Sequence, residues 1–106
     1  MTERPLWTPD CARATSSSLW RFMAPLGFTR FDEVLRFSVE SPEAFWSALW
    51  DFCAVKAETR GSAVLVDADR MPGAKFFPDA RLNYAENLLR RNDDGDALVF
   101  RGEDKV

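Results

Sequence analysis

The chain has 106 residues, room for one ordinary domain and too few for two. Its net charge of −3 comes from 17 acidic and 14 basic residues spread along the whole length, which leaves no concentrated basic stripe for nucleic acid. The 46% apolar fraction allows a single core, yet nine Phe, four Trp and one Tyr exceed what so small a domain shelters, so some rings are expected to face a partner surface.

The opening Met1-Thr2-Glu3-Arg4-Pro5 lacks the apolar run of a signal peptide, and no later stretch approaches the roughly 18 apolar residues of a membrane span. Cys11 and Cys53 are far apart on helix-like stretches, where two reduced, mostly buried thiols are expected. These features predict a cytoplasmic protein without a membrane or nucleic-acid partner.

Thr8-Pro9-Asp10 reads as a helix start, with Thr8 as cap and Pro9 in the first turn. Cys11, Ala12, Thr15, Leu19, Phe22, Met23 and Leu26 then share one helical face. Ser16-Ser17-Ser18 is a weak point within it, and Pro25 and Gly27 end it. A short helix is predicted from Asp32 to Val39, presenting Val34, Leu35 and Val39. The next begins at Ser41-Pro42-Glu43, with Ser41 as cap and Pro42 as first residue. Its apolar residues Phe45, Trp46, Leu49, Trp50, Phe52 and Cys53 cover an arc of about 160°, where one contact needs about 100°. The extra width comes from Trp46 and Trp50. This flank either widens a small core or docks on a body outside the chain.

Beyond Lys56 helical character fades. Ala63-Val64-Leu65-Val66 is a candidate strand, Met71-Pro72-Gly73 a turn, and Lys75-Phe76-Phe77-Pro78 an extended segment stopped by proline. Asn83-Tyr84-Ala85-Glu86 has capping-box form and opens a helix carrying Ala85, Leu88 and Leu89, closed by Arg90-Arg91 at its negative end. After the turn Asn92-Asp93-Asp94-Gly95, residues Asp96-Ala97-Leu98-Val99-Phe100-Arg101 have strand composition, with no evident partner strand before them.

Catalytic patterns are missing. The sequence has no histidine, which removes the commonest general base and metal ligand. The five glycines (Gly27, Gly61, Gly73, Gly95, Gly102) are isolated, whereas a phosphate-cradling loop needs them clustered. An EF-hand reading of the turn around Gly95 puts Arg90 and Arg101 where carboxylates belong. Asp67 and Asp69 alternate at strand spacing but fit an exposed loop better than a metal site. Cys11 and Cys53 lie on apolar faces as small hydrophobes, and Lys75 has no neighbouring cation or pocket to activate it. No catalytic, cofactor-binding or metal-ligating residue is therefore assigned.

Several segments together resemble the N-terminal region of acetoacetate–CoA ligases, which are AMP-forming acyl-CoA synthetases. They are Pro5-Leu6-Trp7-Thr8-Pro9, Leu19-Trp20-Arg21-Phe22-Met23, residues 37–46, Leu49-Trp50-Asp51-Phe52, residues 77–89 and Ala97-Leu98-Val99-Phe100-Arg101-Gly102-Glu103. The stretch from Pro78 to Leu89 is the most specific. Phe76 stands where the family usually has Trp, and Asp79 where it often has Gly.

The resemblance implies a fold that is mostly α with a few short strands. Residues 1–92 would form a helical N-terminal cap, and 93–106 the start of a larger α/β adenylate-forming domain. It implies a parent ligase of lipid metabolism that converts ATP, acetoacetate and CoA to acetoacetyl-CoA, AMP and pyrophosphate. ATP, Mg and CoA would bind the full-length enzyme, none of them this fragment, which is expected to be inactive alone. Its implied partner is the remainder of the ligase. The alternative is a stand-alone helical protein-interaction module, a truncated paralogue.

Overall fold

Side-chain caps mark where most of the helices begin. The computed structural model describes residues 4–104, so Met1, Thr2 and Glu3, and Lys105 and Val106 after the last turn, lie outside the described residues. Helix α1 (Cys11–Ser16) is capped by Asp10, whose carboxylate accepts the Arg13 amide at 2.8 Å. The predicted cap, Thr8, lies two residues too early. A carboxylate at Asp10 both accepts that amide and offsets the positive helix end. The serine run does break the helix. Ser17 is extended, and its hydroxyl accepts the Trp20 amide at 3.1 Å to open α2 (Ser18–Met23). A 3-10 turn over Ala24–Leu26 stops at Gly27, whose φ of 84° suits a residue without a Cβ.

Helix α3 spans Phe31–Glu40, one residue longer at each end than predicted. One Glu33 carboxylate oxygen accepts the amides of Thr29 at 2.9 Å and Arg30 at 2.8 Å. Helix α4 (Pro42–Phe52) starts at Pro42 as expected, but the Ser41 side chain makes no capping bond. Ser41 is also the last cap of α3: its amide donates to the Phe37 carbonyl at 3.0 Å, and its carbonyl accepts the Phe45 amide at 2.9 Å. Its backbone joins both helices, leaving the hydroxyl out of the cap.

The predicted strand at 63–66 contracts to β1 (Leu65–Val66), antiparallel to β2 (Lys75–Phe76) with Leu65 opposite Phe76. The Phe77 amide donates to the Val64 carbonyl at 2.8 Å, and an isolated bridge joins Thr59 to Arg81. Helix α5 (Tyr84–Leu88) begins after Asn83, whose side chain accepts the Glu86 amide at 3.2 Å. The return bond from the Asn83 amide to Glu86 is not formed, so the capping box is half made. Residues 96–101, predicted as a strand, form none, and Leu98, Val99 and Phe100 are exposed. A strand needs a ladder partner, and the one sheet among the described residues has only two short strands.

The fold is mostly α with two short strands, as expected, but its core is small. Among the described residues only Phe22, Met23 and Val34 are buried apolar side chains, packed by Trp20, Phe28, Phe45, Ala48 and Leu49. Leu35 and Val39, predicted to face inward on α3, are exposed. The radius of gyration is 18.6 Å, against about 13 Å for a compact domain of this length. The accessible surface is 9518 Å², against roughly 6,000 Å² for a compact monomer of the same mass. The chain is an open layer.

Replacing Ser17 or Asn83 with Ala is expected to lower stability by about 1 kcal/mol each, and Ser41→Ala by close to zero, read as denaturant midpoints. Glu33 titrates below its usual value of 4.5, because first the Thr29 amide and then the Arg30 amide bond its charged form. The unfolded chain then takes up the proton more readily. The contribution of Glu33 is complete above about pH 4.5 and is lost as the pH falls through the depressed value. Amide exchange at Thr29 and Arg30 should accelerate on acidification below that point, and Glu33→Gln should abolish the dependence.

Candidate functional site

Helix α4 presents aromatic residues on two sides, and each side meets a different neighbour. On the first, Phe22 of α2 lies edge-on to Phe45 at 6.0 Å and to Phe52 at 5.3 Å. On the second, Trp46 meets Phe76 at 5.3 Å and Trp50 meets Phe77 at 4.6 Å. The Trp flank therefore packs on the strand segment of its own chain. An apolar groove of about 400 Å³ remains between helix and hairpin, lined by Trp46, Leu49, Trp50, Cys53, Val55 and Phe77 among others.

Arg60 closes one end of this arrangement. Its guanidinium donates to the Asp51 carboxylate at 2.9 Å, to the Ser47 carbonyl at 3.1 Å and to the Ser47 hydroxyl. The same group lies 5.4 Å from the Trp50 ring centre and 5.6 Å from that of Phe77. A planar, weakly hydrated cation suits both demands, contact with aromatic rings and forked bonds to oxygens. Arg60 thus ties the loop after α4 back to the helix and clamps the Trp50–Phe77 stack.

Helix α5 is held by its polar residues. Asn87 accepts the Lys56 amide at 2.8 Å and donates to the Lys56 carbonyl at 2.7 Å, imitating a strand partner for that residue. Arg90 donates to the Cys53 carbonyl at 2.8 Å and to the Asn87 side chain at 2.7 Å. The apolar residues are turned outward instead: Tyr84 is 76% exposed, Leu88 67% and Leu89 73%.

The residues weighed in the sequence for chemistry are scattered. Cys11 opens α1 and Cys53 follows α4. Both are exposed, not buried as expected, because α1 buries no residue of its own and Cys53 sits on the open groove. Asp67 follows β1 with its carboxylate 3.8 Å from Arg70, Asp69 lies in the loop beyond, and Lys75 is exposed in β2. In the acidic turn Asp93 accepts from Arg91 at 3.0 Å and from the Gly95 amide at 3.1 Å. A shallow polar depression near Glu58, Arg81, Asn83 and Glu86 holds an exposed Arg81–Glu58 pair at 3.5 Å. Among the described residues no three potential metal ligands come together. The distinctive surface is apolar, and what it can do is bind another apolar surface.

Arg60 and Asn87 were not singled out from sequence. The available signal was Asn87 itself, a poor helix former inside a short helix and four residues after Asn83, the spacing of one helix face. Nothing in the residues flanking Arg60 marks it.

The profile of the family described as the acetyl-coenzyme A synthetase N-terminus matches residues 31–88. The chain is 49% identical over 110 residues to an acetoacetyl-coenzyme A synthetase of Rhizobium meliloti, covering 98% of this chain and 17% of that protein. It is 34% identical to an acetoacetyl-CoA synthetase of Macaca fascicularis, covering 90% and 15% of the two chains. It is 29% identical to a malonamoyl-CoA synthetase of Penicillium aethiopicum, covering 82% and 13%. The chain thus spans about one sixth of the length of these relatives. No solved structure matches it.

Arg60→Ala and Asn87→Ala should each cost about 1 kcal/mol, since each removes several hydrogen bonds whose partners water can still reach. Arg60→Lys should recover little, a point charge being unable to stack and fork together. Denaturant midpoints give the magnitudes. Amide exchange should accelerate at Phe77 in the first variant and at Lys56 in the second.

Proposed function

The chain belongs to the acetyl-coenzyme A synthetase N-terminus family, and from that premise we propose that it is the N-terminal layer of an acid–CoA ligase acting on acetoacetate. The observation that carries the reading is 49% identity, along nearly the whole chain, to a synthetase about six times longer. The open form of the chain supports it as well: with only three buried apolar side chains among the described residues, so extended a layer leaves much apolar surface for a larger body to cover.

In this reading residues 1–92 form the helical cap, and 93–106 begin the sheet of the larger α/β domain. Leu98, Val99 and Phe100 find a partner strand only there. The parent ligase joins ATP, acetoacetate and CoA into acetoacetyl-CoA, AMP and pyrophosphate, in the cytoplasm, as part of lipid metabolism. The residues of this chain do not suit a nucleotide or its Mg ion. Its glycines are isolated, and the Glu58–Arg81 depression offers carboxylates and one paired cation. ATP, Mg and CoA are thus assigned to the remainder of the ligase, and no step of the chemistry to a residue here. Among the described residues no helix is long and apolar enough to cross a membrane.

The test is a chimera in which this chain replaces the matching stretch of the Rhizobium meliloti synthetase. A soluble enzyme that releases AMP with acetoacetate and CoA is the expected result, while the isolated chain releases none and gives no calorimetric heat with ATP. Micromolar ATP binding by the isolated chain, or an insoluble, inactive chimera, would overturn the reading.

A further inference from the structure

Helix α5 is only five residues long, too short to persist without outside support. Hydrogen bonds supply that support: the Asn83 cap, the paired bonds between Asn87 and Lys56, and the reach of Arg90 to Cys53. At 100° per residue Asn83 and Asn87 share one stripe, while Tyr84 and Leu88 share another. The polar stripe is spent on the chain itself, and the apolar one is left in water beside Leu89. Ordinary surface helices are arranged the other way round. The Trp46/Trp50 flank is different, because Phe76 and Phe77 already lie against it.

We infer that the Tyr84/Leu88/Leu89 face of α5 is the seat of this layer on the α/β body of the same ligase polypeptide. The inference rests on the reading of the chain as part of a longer ligase. Two observations choose the body over a second copy or a short peptide. The chain exposes roughly 3,500 Å² more than a compact monomer, whereas a standard interface takes only about 800 Å² from each partner. The relatives also supply more than four-fifths of their length beyond the matched stretch. The latch then has a purpose. It fixes a short helix with its apolar side outward, so that the face is formed before the body covers it.

The test polarises this face without harming the helix. Tyr84→Glu places a carboxylate at the helix start and Leu88→Lys a cation at its end, an i, i+4 pair that favours an isolated helix. In the isolated chain the double variant should keep the full helical circular dichroism. In the chimera with the Rhizobium meliloti body it should lower the thermal midpoint by several degrees and reduce the activity surviving a heat step. Val39→Lys, at an equally exposed residue of α3 (72%), should do neither. An active, unmodified chimera in which the double variant is as stable as Val39→Lys overturns the seat while leaving the ligase reading intact. An unmodified chimera that fails to fold overturns both. If the isolated chain forms a dimer in sedimentation that the double variant abolishes, while the chimera is indifferent to it, the face belongs to a second copy and the inference is wrong.

Discussion

Phe45 and Trp46 are neighbours on α4 whose rings meet edge to face at 5.4 Å, and the rest of the layer hangs from this pair. Phe45 reaches Phe22 of α2 and Phe37 of α3, each at 6.0 Å, while Trp46 reaches Phe76 of β2 at 5.3 Å. Consecutive helical residues point about 100° apart, so one helix can serve a helical layer on one side and a hairpin on the other. Each aromatic contact adds about 0.5–1.5 kcal/mol beyond its buried area. The run from Phe28 through Phe37, Phe45 and Trp46 to Phe76 is therefore the main cohesive path between elements distant in sequence.

A chain built around one double-sided helix spreads rather than closes. Both faces of α4 are occupied, so the other elements lie beside it and not around it. Phe22, Met23 and Val34 are the buried result. What lies beyond them is pinned by polar contacts at single points: Arg60 on Ser47 and Asp51, Asn87 on Lys56, Arg90 on Cys53. Such contacts set position at modest net gain in stability.

The two departures from the family pattern sit where this scaffold is tightest. Phe76, in place of the usual Trp, is the ring that Trp46 packs against. Asp79, in place of Gly, lies against Gly61, where an added Cβ would come within 2.6 Å of the Asp79 Cβ. Gly61, at a φ of 76°, leaves the room that the Asp79 side chain takes. Both residues take part in packing within the layer.

Local chemistry determined much of this chain. Proline at 42, the serines at 16–18, Asn83 and Gly27 act within a few residues of themselves, so the helix starts and stops near them were legible. Close choices between local groups were less so: Asp10 outcompeted Thr8 as cap, and Ser41 lost its cap to the backbone it shares with α3. Family membership was readable because segments 37–46 and 77–89 combine uncommon residues in a fixed order. Tertiary structure decided what depends on residues ten or more positions apart. It settled that Trp46 and Trp50 meet Phe76 and Phe77, that Arg60 lies beside the Trp50–Phe77 pair, and that α5 turns Asn87 inward and its leucines outward. Apolar periodicity gives the direction of a stripe but not which surface it meets, and here the inward side of α5 was chosen by two hydrogen bonds to the backbone of Lys56.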